Sequence, residues 1–79
     1  MNPTFTISRT RMIELGADRQ VSKAMKGITF TGERGFIETH AEILNKAQQC
    51  RASGNTQGET LAYQMATALR MYFDSLYYS

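Results

Sequence analysis

One histidine and one cysteine are the residues of this 79-residue chain that could act as a general base and a nucleophile. His40 and Cys50 are ten positions apart, so a continuous helix would separate them by nearly three turns, or about 15 Å. Groups at that distance cannot act on the same reacting atom. Glu38 and Glu42 lie one helical turn apart, but the helix macrodipole alone favours acids at a helix start. The sequence therefore predicts that the chain is not an enzyme.

Metal and cofactor sites lack the residues that they need. A structural zinc site takes about four Cys or His ligands, whereas this chain has one of each. The glycines at residues 32 and 35 are too close together for a phosphate loop, and no lysine follows them. We expect no metal and no cofactor.

Features that would direct the chain to a membrane or out of the cell are also missing. Residues 1–5 lack the basic-then-apolar order of a signal peptide. No apolar run approaches the roughly 20 residues that span a membrane. A single cysteine excludes an intramolecular disulfide and suits a reducing compartment. We therefore expect a cytoplasmic protein that does not bind membranes.

Five basic residues near the start of the chain form the first candidate binding surface, and we call them the basic region: Arg9, Arg11, Arg19, Lys23 and Lys26. Residues 1–27 carry a net charge of +3 (five basic, two acidic), whereas residues 28–79 carry −1 (four basic, five acidic). Three of the five are spaced i, i+4, i+7, which places them on one face of a helix. Such a face could bind an acidic protein surface or nucleic-acid phosphates, or it could simply be solvated.

Tyrosines near the C-terminus form the second candidate surface: Tyr72, Tyr77 and Tyr78. Tyrosine is enriched at interfaces because its ring offers a large contact area and its hydroxyl a hydrogen bond. The same side chains could instead complete the core. They are candidate interface residues, and a place in the core is the alternative for each.

Two short segments have the alternating pattern of half-buried strands, residues 3–8 and residues 28–31. Pro3 is tolerated because it stands at the first position of its strand. Residues 9–15 fit either a helix capped by Ser8 or a continuation of the first strand.

Two helical regions follow from capping signals and periodicity. Asp18 is a good N-cap and Gly27 is a good residue to follow a helix, so residues 18–27 predict a short helix with a basic exposed side. The C-terminal half predicts an antiparallel helix pair joined by a polar turn at residues 53–58. Its second helix, residues 59–78, is apolar around more than the roughly 100° that a surface helix needs. That helix is therefore either central to the fold or shared with another chain.

Residues 36–38 allow two interpretations. As a strand, they close a hairpin after a turn at residues 32–35, and Thr39 caps the next helix through a box with Glu42. As a helix, they extend the apolar spacing of that next helix, although two nearby glycines each cost about 1 kcal/mol relative to alanine. We prefer the hairpin, which predicts a third strand at residues 35–38.

These elements predict one α+β domain over residues 1–79. It has a small antiparallel sheet of two or three strands packed with a short basic helix and a C-terminal antiparallel helix pair. A core of this size supplies only about 3–5 kcal/mol, so a homodimer or an obligate partner would help to stabilise it.

The function predicted from these features is a non-enzymatic protein-binding module that occludes a surface of a larger complex. In size and character, the chain resembles the small inhibitors encoded by phages and plasmids, among them anti-CRISPR proteins. The resemblance implies a protein partner, which the basic region would meet through an acidic surface. The alternative is an accessory protein that binds nucleic acid through the basic region.

Overall fold

The computed structural model describes residues 3–77. The elements in chain order are β1 Thr4–Thr6, α1 Arg9–Glu14, α2 Arg19–Met25, β2 Thr29–Thr31, α3 Gly32–Ala52 and α4 Thr56–Tyr77. The predicted α+β fold with a C-terminal helix pair is confirmed. Helix dominates it, because α3 and α4 together contain 43 residues (21 and 22).

The sheet consists of β1 and β2 in antiparallel register, with Phe5 opposite Phe30. Alternation along each Thr-Phe-Thr strand sends the phenylalanines to the core side and the threonines to the exposed side. Across the exposed side, the hydroxyls of Thr4 and Thr31 hydrogen-bond at 2.8 Å.

The two short helices begin at side-chain caps. The Ser8 hydroxyl accepts the N–H of Arg11 at 3.1 Å, which makes residues 9–14 a helix and not an extension of β1. Asp18 caps α2 by accepting the N–H of Val21 at 2.8 Å. Gly27 follows α2 with φ of +85°, a conformation that glycine adopts without strain.

The predicted third strand at residues 35–38 is wrong, because these residues belong to α3. No loop separates β2 from α3: the chain turns directly into the helix at Gly32, whose φ is +64°. These residues are helical in spite of the low helix propensity of the nearby glycines, because the ring of Phe36 stacks on Phe73 at 4.2 Å. Thr39 consequently lies inside the helix and caps nothing.

The turn between α3 and α4 is shorter than predicted, since α4 begins at Thr56 and not near residue 59. Asn55 explains this difference. Its side-chain oxygen accepts the N–H of Gly58 at 2.9 Å, which satisfies a donor of the first helical turn.

The core joins the sheet to the helix pair through Phe30, which is 4% exposed. Its ring centroid lies 5.6–6.3 Å from those of four other aromatic rings: Phe5, Phe36, Tyr72 and Phe73. Further side chains that are fully buried close the core around them: Ile7, Met12, Met25 and Leu69. Within residues 3–77, no helix has the combination of length and hydropathy that crossing a membrane requires.

Candidate functional site

Helix α2 presents the centre of the basic region because its opposite side is anchored in the core. Val21 and Met25 are buried, and the buried Ser22 hydroxyl donates to the carbonyl of Ala17 at 3.5 Å. With those positions facing inward, Arg19 and Lys23 lie one helical turn apart on the exposed side. The exposed basic side predicted for this helix is therefore present in Arg19 and Lys23, whereas Lys26 follows the end of α2 with a ψ of 129° and does not continue that helical face.

Most charges of the basic region have no acidic partner. Arg11 forms an ion pair with Glu14 at 3.2 Å, within its own helix. The other four side chains have no carboxylate within 4.0 Å among residues 3–77, and all four are exposed: Arg9, Arg19, Lys23 and Lys26. Four cations thus remain available to another molecule.

Helix α1, which carries Arg9 and Arg11, packs against α2. Met12 is completely buried and fixes which side of α1 faces the core. Arg9 and Ile13 are spaced i, i+4, so they share one exposed face. Because Ile13 is 44% exposed, α1 presents an aliphatic surface on the same face as Arg9.

The tyrosines divide between core and surface. Tyr72 is 7% exposed with its ring edge-on to Phe30 at 6.1 Å, so it has little surface left for a partner. Tyr77 is 47% exposed, and its ring packs against Phe5 of β1 at 6.4 Å and Phe73 at 4.6 Å. Tyr78 lies outside the described residues.

A groove between α2 and α4, which we call the α2–α4 groove, was not predicted from the sequence. It has a volume of about 310 Å³, and Val21, Tyr63 and Met71 are among its lining residues. Tyr63, Thr67 and Met71 are spaced i, i+4, i+8, and this second stripe along α4 is the signal that could have revealed it.

The α2–α4 groove and the two cations within α2, Arg19 and Lys23, are on opposite sides of that helix. Val21, which lines the groove, and Lys23 are two positions apart, or about 200° around a helix. The groove also contains one acidic residue, Asp18, and none of the basic region.

The residues considered for catalysis stay apart in the fold. The His40 ring packs against Phe36 at 5.7 Å, whereas Cys50 lies near the other end of α3 beside Gly58 of α4. No three His, Cys, Asp or Glu side chains within residues 3–77 are grouped so that they could hold a metal ion. Comparison with protein-family models, with curated proteins and with solved structures finds no match to this chain.

Proposed function

We propose that this chain is a non-enzymatic protein-binding module whose basic region docks on an acidic surface of a larger protein. The observation that carries the proposal is the composition of α1 and α2: four exposed cations form no ion pair among residues 3–77, and one of them, Arg9, shares a helix face with the exposed Ile13. A cationic surface with an aliphatic contact suits a protein interface, where apolar contact and charge complementarity act together.

The mechanism would be occlusion. Unpaired cations on α1 and α2 steer the chain toward an acidic patch and raise the association rate. Contact through Ile13 then excludes water from the centre of the interface, as apolar residues do at binding hot spots. Small phage- and plasmid-type inhibitors would act in this way, by covering a surface that their target needs.

Binding to nucleic acid is the second candidate function, and the same cations favour it. Single-strand binding usually adds aromatic side chains on which bases stack. The one aromatic residue among residues 1–27 is Phe5, and its ring faces Phe30 and Tyr77. This arrangement supports the protein partner over nucleic acid.

The test is site-specific cross-linking combined with charge reversal. A photoreactive amino acid at position 13 should capture one discrete protein from a lysate treated with nuclease. The same probe at Ile37, which is 57% exposed on α3, should not capture it. Replacing Arg19, Lys23 and Lys26 by Glu should reduce that capture at least about tenfold, because three attractive contacts become repulsive.

A matched variant separates the basic region from net charge. Replacing Arg34, Lys46 and Arg70 by Glu makes the same charge change, from +2 to −4 (three changes of −2), outside the basic region. Capture at position 13 should survive in this variant. Equal loss in both triple variants would contradict the proposal. Recovery of nucleic acid alone, with affinity that falls log-linearly as salt rises, would favour the second candidate.

A further inference from the structure

The outer edge of β1 has unpaired backbone groups. Hydrogen bonds from Ile7 N–H to Ile28 C=O (2.9 Å) and from Gly32 N–H to Pro3 C=O (3.1 Å) flank the ladder. Because paired residues alternate along an antiparallel ladder, Phe5 bonds to β2, while the N–H and C=O groups of Thr4 and Thr6 point away from it. Among residues 3–77, no other backbone group bonds to either threonine.

The two edges of the sheet differ in how they are protected. Charged side chains of α3 lie beside β2. Arg34, Glu38 and Glu42 line the same surface depression as Thr29 and Thr31. Residues 3–8 contain no charged residue, and β1 packs extensively against β2 alone. Natural proteins commonly block an edge strand with charges, prolines or bulges. Pro3 does not block this edge, because its carbonyl accepts the N–H of Gly32 and therefore faces β2.

The edge of β1 is complementary to itself. In an antiparallel pairing about a two-fold axis, Thr4 lies opposite the partner's Thr6, and Phe5 lies opposite the partner's Phe5. In this register, the N–H and C=O groups of Thr4 and Thr6 in each copy bond to the other copy, which gives four backbone hydrogen bonds. The central Phe5 pair is then non-hydrogen-bonded, the arrangement in which facing side chains approach most closely.

Exposed aromatic surface continues from this edge. Phe5 is only partly buried, and Tyr77, at 47% exposed, lies edge-on to it at 6.4 Å. In the symmetric pairing, each Phe5 ring would extend the aromatic cluster of the other copy and cover part of this surface. None of the basic region lies on β1, so this surface is separate from the one in the proposed function.

We propose that a second copy of this chain pairs along the outer edge of β1 to form a four-stranded antiparallel sheet. Two three-residue strands and their aromatic neighbours bury less than the roughly 1,200 Å² of a standard interface, so the dimer is weak. Sedimentation equilibrium should therefore show the mass rising from 8.9 kDa toward twice that value between about 10 µM and 1 mM protein.

Disulfide trapping tests the register directly. In a Cys50→Ala background, Thr4→Cys and Thr6→Cys place thiols on exposed side chains. Opposed Cα atoms about 5.5 Å apart suit a disulfide, whereas two copies of position 4 lie roughly 8 Å apart. An oxidised mixture of the two variants should form the mixed dimer at least ten times faster than either variant forms a dimer with itself.

Edge-blocking variants complete the test. Thr6→Pro removes the outward N–H without touching the bonds to β2, and Phe5 before it is already extended, so the monomer should fold and no longer self-associate. Thr6→Val retains the N–H and should dimerise like the native chain.

Three results would overturn the proposal: a monomeric mass up to 1 mM, equal cross-linking rates in all mixtures, or unchanged self-association of Thr6→Pro. If the native chain stayed monomeric and Thr6→Pro abolished the capture of a different protein, the edge of β1 would bind that protein and not a second copy of this chain.

Discussion

The glycines at positions 35 and 58 lie inside the two long helices and should respond in opposite ways to replacement by alanine. In a helix interior, alanine is favoured over glycine by about 1 kcal/mol. A Cβ at Gly35 would lie 3.4 Å from the carbonyl carbon of Phe30 and 3.5 Å from its Cβ, which is ordinary van der Waals contact. Gly35→Ala should therefore stabilise the fold by up to about 1 kcal/mol.

At Gly58 the same change meets an obstacle. The new Cβ would lie 2.6 Å from Nδ2 of Asn55 and 2.8 Å from Sγ of Cys50. Displacing Asn55 breaks the cap at the start of α4, which costs about 1 kcal/mol, and overpacking against Cys50 costs about 1–3 kcal/mol more. Subtracting the roughly 1 kcal/mol by which a helix favours alanine over glycine leaves a net destabilisation of about 1–3 kcal/mol.

Urea and thermal unfolding of the two variants measure this difference. A separation of about 1–4 kcal/mol corresponds to melting temperatures at least about 4 °C apart for a domain of this size. In an Asn55→Ala background, Gly58→Ala should be about 1 kcal/mol less damaging, since the cap is already lost. If Gly58→Ala stabilised the fold as much as Gly35→Ala, the side chains around Gly58 would relax freely and the steric reasoning would be wrong.

Two further predictions concern the cap of α2 and the core. Asp18→Ala should lower the free energy of unfolding by about 1 kcal/mol because the N–H of Val21 loses its acceptor, and Asp18→Asn should stay within a few tenths of the native value. Urea titrations followed by circular dichroism distinguish these two outcomes. Leu69→Ala, at a position with 0% exposure, should cost about 2–5 kcal/mol. The control Ile37→Ala, at 57% exposure, should change stability by less than about 0.5 kcal/mol, and similar losses in both would contradict the burial described for α4.

Elements defined by local signals were predictable from the sequence. Capping by Asp18, the glycine after α2 and the Thr-Phe-Thr alternation each depend on a few neighbouring residues, and the structure contains all three features. The segment at residues 36–38 was not predictable in this way. A strand and a helix both fit its three residues, and the stacking of Phe36 on Phe73, 37 positions later, favours the helix.

The candidate surface also combines features that depend on neighbouring residues with features that depend on distant contacts. Basic residues at helical spacing revealed the exposed side of α2 because the charge and the period are both local. Tyr72 illustrates the limit, since its type suits a core and an interface equally and its burial depends on Phe30 of a distant strand. The α2–α4 groove arises only from the packing of two helices, and Tyr63 gave no indication of it on its own.

The arrangement of the sheet has a consequence for how the chain folds. A turn of three residues joins α3 to α4, so their extensive interface forms from neighbouring segments, whereas the contact between Thr4 and Thr31 spans 27 positions. Closing the loop between Thr4 and Thr31 costs more entropy than closing the three-residue turn, and only a short ladder between β1 and β2 offsets that cost. We therefore expect the helix pair to form first and β1 to join it last. In the native state, β1 should also open without the rest, and hydrogen exchange at the Ile7 amide faster than at the Leu69 amide would report that opening.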